Sequence, residues 1–162
     1  YLNTNVPEEV RRRVLEASVR APQDWHQKAI REAYSSEDKT WRPTALFCMR
    51  FVRRFNEQIV EALDSEIPEI QYEAVCAAGN WEVDAAWSHI AALISSKDTE
   101  KYLLLAAIEA VTSIRPKKAS QILSDLTQSE DEDIAEAAFE AIEMTEMLSD
   151  LKDDDISDDF LH

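Results

Sequence analysis

Five stretches of the chain share one spacing of apolar residues: EVRRRVLEAS, TWRPTALFCM, EIQYEAVCAA, YLLLAAIEAV and DIAEAAFEAI. Aligned on those residues, they give the columns Val10/Trp41/Ile70/Leu103/Ile134, Val14/Ala45/Ala74/Ala107/Ala138 and Leu15/Leu46/Val75/Ile108/Phe139. Ala17/Cys48/Ala77/Ala110/Ala141 and Ser18/Met49/Ala78/Val111/Ile142 complete the set. Successive offsets are 31, 29, 33 and 31 in every column. Apolar positions at i, i+4, i+5, i+7 and i+8 form one face of a helix. Two columns of consistently small residues are what close stacking of one helix on the next requires.

A second apolar-periodic stretch follows each of the first four: DWHQKAIREAY, NEQIVEAL, VDAAWSHIAALI and KKASQILSDL. Each runs into a polar loop, SSEDK, DSEIP, SSKDT or SEDED, whose Ser and Asp side chains bond free backbone N–H groups. The unit is therefore helix, turn, helix, loop, with boundaries near 7–36, 37–65, 66–97, 98–130 and an incomplete 131–148. The prolines keep this phase. Pro7, Pro43 and Pro68 fall in first turns of first helices, where a missing N–H costs nothing, and Pro22 and Pro116 fall in the inner turn. Gly79, the single glycine, follows the last periodic residue of its segment and is expected to close that helix in a left-handed conformation, with Asn80 capping the next. The second unit lacks a breaker other than Asn56, so one long helix over 41–63 is an alternative to a pair there.

Composition agrees with an all-α chain. Ala, Leu, Ile, Glu, Lys and Arg dominate, and these lose little entropy in helices. Helix pairs of about 30 residues with an Asp-bearing loop, an Ala-rich first helix ending AAG and a second helix of the HIAALISS pattern resemble HEAT repeats, in particular the short HEAT-like type of phycobilisome lyases. The resemblance covers residues 6–148. It implies a right-handed α-α superhelix of about five helix pairs, the last incomplete, that works as a protein-binding scaffold or adaptor. It also places the second helices, at 25–34, 56–63, 84–94 and 117–126, on the concave binding face. Related arrays include bilin lyases and DNA glycosylases, so a HEAT-like enzyme or a regulatory fragment of a larger protein is the alternative. The Asp-x-x-Val-Arg start of the type survives only as EEVRRR and KTWRP.

Charge narrows the partners. The net charge is −16, with +2 over residues 1–62 and −18 over residues 63–162. A long acidic half repels a nucleic-acid backbone, so nucleic acid is disfavoured, and so is a glycosylase groove. No run approaches the roughly 20 apolar residues of a bilayer span, and no membrane partner is expected. Cys48 and Cys76 sit among apolar helical neighbours, which fits a reducing, cytoplasmic setting without disulfides. The opening Tyr-Leu-Asn suggests a processed product or a fragment.

Candidate partner-binding residues are Arg12, Arg50, Arg53 and Arg54, with Trp25 and Trp81. The arginines belong to a basic cluster that includes Arg11, Arg13 and Arg20, and the columns set Arg20 opposite Phe51, beside Arg53 and Arg54. Guanidinium forks match carboxylate and phosphate, so this N-terminal edge suits an acidic protein or peptide; a merely solvated charged face is the plainer role. Trp41 occupies a core column. Trp25 and Trp81 open second helices and serve either as exposed aromatic contacts or as packing for a helix start. His26, His89 and His162 have no metal-ligand spacing, and no nucleophile–base pair, Gly-rich phosphate loop or metal motif occurs. No catalytic residue, cofactor or metal is therefore expected. The acidic stretch 149–162 is expected to be a disordered tail that solubilises the end of the array or docks through Ile156, Phe160 and Leu161.

Overall fold

The computed structural model describes the backbone over residues 5–157 and the side chains over residues 5–147. Among these residues the protein is all-helical, with no strand. The first helices are α1 (Glu8–Ser18), α3 (Trp41–Met49), α5 (Pro68–Asn80), α7 (Lys101–Ile114) and α9 (Glu132–Ser157). The second helices are α2 (Asp24–Tyr34), α4 (Asn56–Leu63), α6 (Trp87–Ser95) and α8 (Pro116–Leu123).

Local sequence places the boundaries. In the loops Ser36, Ser65, Ser96 and Ser129, each hydroxyl accepts the backbone N–H two residues on, at 3.1–3.2 Å. This is the turn that competes with helix at Ser. Pro68 and Pro116 stand at the first position of α5 and α8, and Pro7 immediately precedes α1. At the start of α2, the Gln23 N–H donates to Nδ1 of the buried His26 at 2.8 Å. The other ring nitrogen, Nε2, lies 2.9 Å from Ser18 Oγ, whose own proton goes to Leu15 O at 2.8 Å. His26 therefore carries its proton on Nε2 and ties the end of α1 to the start of α2.

Packing follows the columns. α1 contacts α3, α3 contacts α5, α5 contacts α7 and α7 contacts α9, while α2, α4, α6 and α8 each pack against the first helix that follows. Ala45, Ala74, Ala107 and Ala138 are fully buried, so the small-residue column sits where helices meet. Polar bonds repeat at nearly one unit's separation. Arg12 donates to Thr40 O across 28 residues, Asn80 to Arg50 O across 30, and Arg115 grips both carboxylate oxygens of Asp84 across 31. Trp81 Nε1 donates to Met49 O across 32 residues, as Lys101 does to Asp133. A hydrogen-bond separation close to the sequence offset means that equivalent helices lie side by side.

Two turns differ from expectation. Gly79 has no positive φ and lies inside α5. The left-handed residue is Glu82, at φ 50°. Its N–H donates to Gly79 O, and the Val83 N–H donates to Ala78 O at 2.9 Å, the paired bonds of a Schellman closure. Asn80 does not cap the next helix. Gly79 is required instead by the neighbouring helix: a Cβ there would stand 2.9 Å from Ala110 Cα and 3.1 Å from Ala110 Cβ. In the second unit the long-helix alternative fails. α3 stops at Met49, and Arg54 takes φ 82° before α4 begins at Asn56. Burial of Val52 and Phe55 holds the chain in that bend. At the other end, the helical backbone of α9 continues to Ser157, past the expected boundary at 148, because no proline or glycine interrupts it. Phe160 and Leu161 lie outside the described residues.

Candidate functional site

The predicted site residues do not form one cluster. Arg50, Arg53 and Trp81 meet where the C-terminal ends of α3 and α5 adjoin. The Trp81 indole N–H donates to Met49 O at 2.6 Å, satisfying a carbonyl that the end of α3 leaves open. The Arg53 guanidinium lies over the Trp81 ring at 4.6 Å, and the Arg50 carbonyl accepts from Asn80. Trp81 thus joins two units as well as offering a ring. Arg54 forms the adjoining bend. Trp25 stands apart on α2, 45% exposed and stacked on the His26 ring at 3.8 Å. Arg12 lies on α1, held to Thr40 O at 3.1 Å.

Stacking on rings occupies much of the basic cluster. Arg11 lies over Trp41 at 5.5 Å, Arg20 over Phe51 at 5.6 Å and Arg50 over Phe47 at 5.7 Å. The first two pairs bridge one unit to the next. Such contacts stabilise by about 0.5–1 kcal/mol each at exposed sites, so these arginines fasten the helices while presenting charge at their rims. The columns make the Arg20–Phe51 pair legible in the sequence.

A groove that sequence patterns do not disclose crosses the first helices. It encloses about 700 Å³. Arg12 and Arg13 of α1, with Arg20 just beyond its end, form one wall. Phe47 of α3 with Tyr72 and Tyr102 of α5 and α7 gives an aromatic lining, and the carboxylates of Glu16, Glu69 and Glu73 stand among them. The Tyr72 and Tyr102 ring centroids lie 5.7 Å apart, and Tyr102 is exposed. None of the lining residues belongs to the second-helix ranges that the family resemblance placed on the binding face.

Electrostatics differentiate the groove along its length. Glu16 accepts from Arg13 at 3.0 Å and from Thr44 Oγ1 at 2.8 Å. Arg50 donates to Glu73 at 3.2 Å. Burial nevertheless raises the Glu73 carboxyl above the ordinary glutamate value, with Arg50 opposing the rise. The nearby Cys76 and partial burial push the Tyr72 hydroxyl upward, and burial pushes the Cys76 and Cys48 thiols upward. Both cysteines are free and, so held, stay protonated at neutral pH, the unreactive state of a thiol. The groove can therefore recognise charge and aromatic or aliphatic bulk.

Among the described residues, no three His, Cys, Asp or Glu side chains come together in a way that could hold a metal ion. Among the same residues, no helix is long and apolar enough to cross a membrane. No protein-family model matches the chain, and no curated protein matches it in sequence.

Proposed function

We propose that the chain is a HEAT-like solenoid that works as a protein-binding scaffold or adaptor, holding a peptide segment of its partner in the groove across α1, α3, α5 and α7. The observation that carries this is the groove itself: a charged and aromatic channel of about 700 Å³ built from four successive first helices. Unit-spaced hydrogen bonds support the stacked architecture, and stacked helix pairs characteristically offer extended surfaces for partners. The segment best suited carries an acidic residue toward Arg12 and an aromatic or long aliphatic residue toward Phe47 and Tyr102. A basic residue further along meets Glu69. This moves the binding face from the second helices to the first.

The test is affinity capture from native lysate with three baits: the wild-type chain, Phe47→Ala/Tyr102→Ala, and Trp25→Ala on the second-helix side. A protein retained by the wild type and by Trp25→Ala, and lost with the groove variant, supports the proposal. Retention by the groove variant together with loss on Trp25→Ala returns binding to the second-helix face. Recovery of small molecules alone argues against a scaffold.

A further inference from the structure

A second, smaller cavity of about 200 Å³ lies between α5 and α7. The repeat columns make it a continuation of the groove. Arg13, Thr44, Glu73 and Ala106 are equivalent positions, as are Glu16, Phe47, Cys76 and Glu109. In each set the earlier members line the groove and the later ones line the cavity, so both hollows lie along one face of the first helices. A single ion pair stands between them. Arg50, which lines the cavity, donates to Glu73, which lines the groove, at 3.2 Å.

The small residues Gly79, Ala106 and Ala110 leave room in the cavity, and the polar groups around it are mainly acceptors. Glu82 and Glu109 are exposed, and among the described residues neither carboxylate has a hydrogen bond or ion pair. The Asn80 side-chain N–H donates to Arg50 O at 3.2 Å, which leaves the amide oxygen as an acceptor. The Ser113 hydroxyl donates to Glu109 O at 3.4 Å and likewise keeps its lone pairs. Arg50 is the one cation in the lining, and Glu73 takes up its charge. Two uncompensated carboxylates and two neutral acceptors suit a group that only donates, an ammonium or a guanidinium.

We infer that this cavity seats a lysine or arginine side chain of the segment held in the groove, beyond the basic residue that meets Glu69. The inference rests on the groove reading and adds a specificity site to it. Packed helices lie about 8–10 Å apart, so about two and a half spacings, or about 20–25 Å, separate Arg12 on α1 from the cavity. An extended chain rises about 3.3 Å per residue and covers that distance in about six to eight residues. The bound segment therefore carries an acidic residue and a basic residue at that separation.

The probe is a displayed library of random peptides of about twelve residues, long enough to span the distance, selected on the full chain. Selected peptides should carry the acidic and basic residues at the stated separation. With one of them, followed by fluorescence polarisation, Glu82→Gln/Glu109→Gln should weaken binding about tenfold, the loss of a charge-assisted hydrogen bond. Replacing the peptide's basic residue with alanine should weaken binding to the wild-type chain equally, and to the Glu82→Gln/Glu109→Gln chain little further. Both carboxylates are exposed, so this variant should keep wild-type helicity by circular dichroism. Peptides that are lost on Phe47→Ala/Tyr102→Ala but lack the basic residue, or that bind Glu82→Gln/Glu109→Gln unchanged, overturn the cavity's role and leave the groove standing. Failure to select any peptide, or peptides indifferent to Phe47→Ala/Tyr102→Ala, overturns the groove reading and this inference with it.

Discussion

Replacing Gly79 with Ala separates two accounts of why the chain places its glycine there. A methyl at this position would lie 2.9 Å from Ala110 Cα and 3.1 Å from Ala110 Cβ, against a normal carbon contact of about 3.5–4.0 Å. The nearer atom is backbone, so α5 and α7 must separate by a good fraction of an ångström. Overpacking of this kind costs about 1–3 kcal/mol. Alanine in a helix returns about 1 kcal/mol relative to glycine. The expected net loss is about 1 kcal/mol, or about 2–4 °C in Tm for a chain of this size. Urea unfolding followed by circular dichroism measures it, with an unchanged m value showing that the unfolding reaction is the same. Strain at a left-handed glycine would also destabilise, so the decisive quantity is coupling to residue 110. Ala110→Gly alone should cost about 1 kcal/mol by helix propensity, but clearly less in the Gly79→Ala background, where it removes one of the two clashes. A coupling of about 0.5–1 kcal/mol is expected for touching side chains. Strict additivity, or a Gly79→Ala chain that is more stable than wild type, would refute the close-approach explanation.

Three further outcomes follow from the same geometry. His26→Ala leaves the Gln23 N–H without its acceptor and the Ser18 oxygen without the donor it meets at a buried joint, although the Ser18 hydroxyl keeps its bond to Leu15 O; it should cost about 2–4 kcal/mol by denaturant unfolding, and hydrogen exchange at the Gln23 amide should accelerate. Arg54→Gly should raise stability by about 0.5–1 kcal/mol, because φ 82° strains any side chain; a loss instead would mean that the Arg54 side chain contributes more than its backbone costs. Burial raises the Glu73 carboxyl above the ordinary glutamate value of 4.5, so its folded form favours the proton and its contribution to stability is lost as pH rises through the folded-state value. Wild-type stability relative to Glu73→Gln should therefore fall as pH climbs above 4.5, and a relative rise would show that the Arg50 pair outweighs burial.

The helix pairs and their stacking order were legible because repetition amplifies a weak local signal. One Ala or Ser says little, but Ala45, Ala74, Ala107 and Ala138 at matching offsets describe a surface that each helix must bury. The second helix of the second unit was legible at 56–63, but the form of the bend before it was not, since its left-handed residue is Arg54, a type that rarely takes that conformation and does so here under the packing of Val52 and Phe55. Gly79 misled for a related reason. The left-handed position falls three residues later, on Glu82, while the glycine answers to Ala110, a neighbour thirty-one residues away. Column alignment brought Arg20 to Phe51, whereas the same offset sets Arg53 opposite Glu82, one residue past the Trp81 ring on which it stacks. The groove lay beyond such logic. Its depth depends on how Thr44, Glu73 and Tyr102 fill the space between helices, and spacing in sequence does not encode side-chain volume against a neighbour.

Every functional inference depends on equivalent helices lying side by side one unit apart, and a cross-link at the tightest junction tests that most directly. In a chain with Cys48→Ala and Cys76→Ala, the pair Gly79→Cys/Ala110→Cys brings two thiols to opposite sides of the α5–α7 contact, where the Cβ separation of 3.1 Å is slightly short of that in an ordinary disulfide. Mild oxidation should close this bond within the monomer, detected by mass spectrometry of tryptic peptides under non-reducing conditions. The control pair Gly79→Cys/Ala141→Cys, two units apart, should not close. Failure of the first pair to cross-link in a folded chain, or cross-linking of the control at a comparable rate, would contradict the stack.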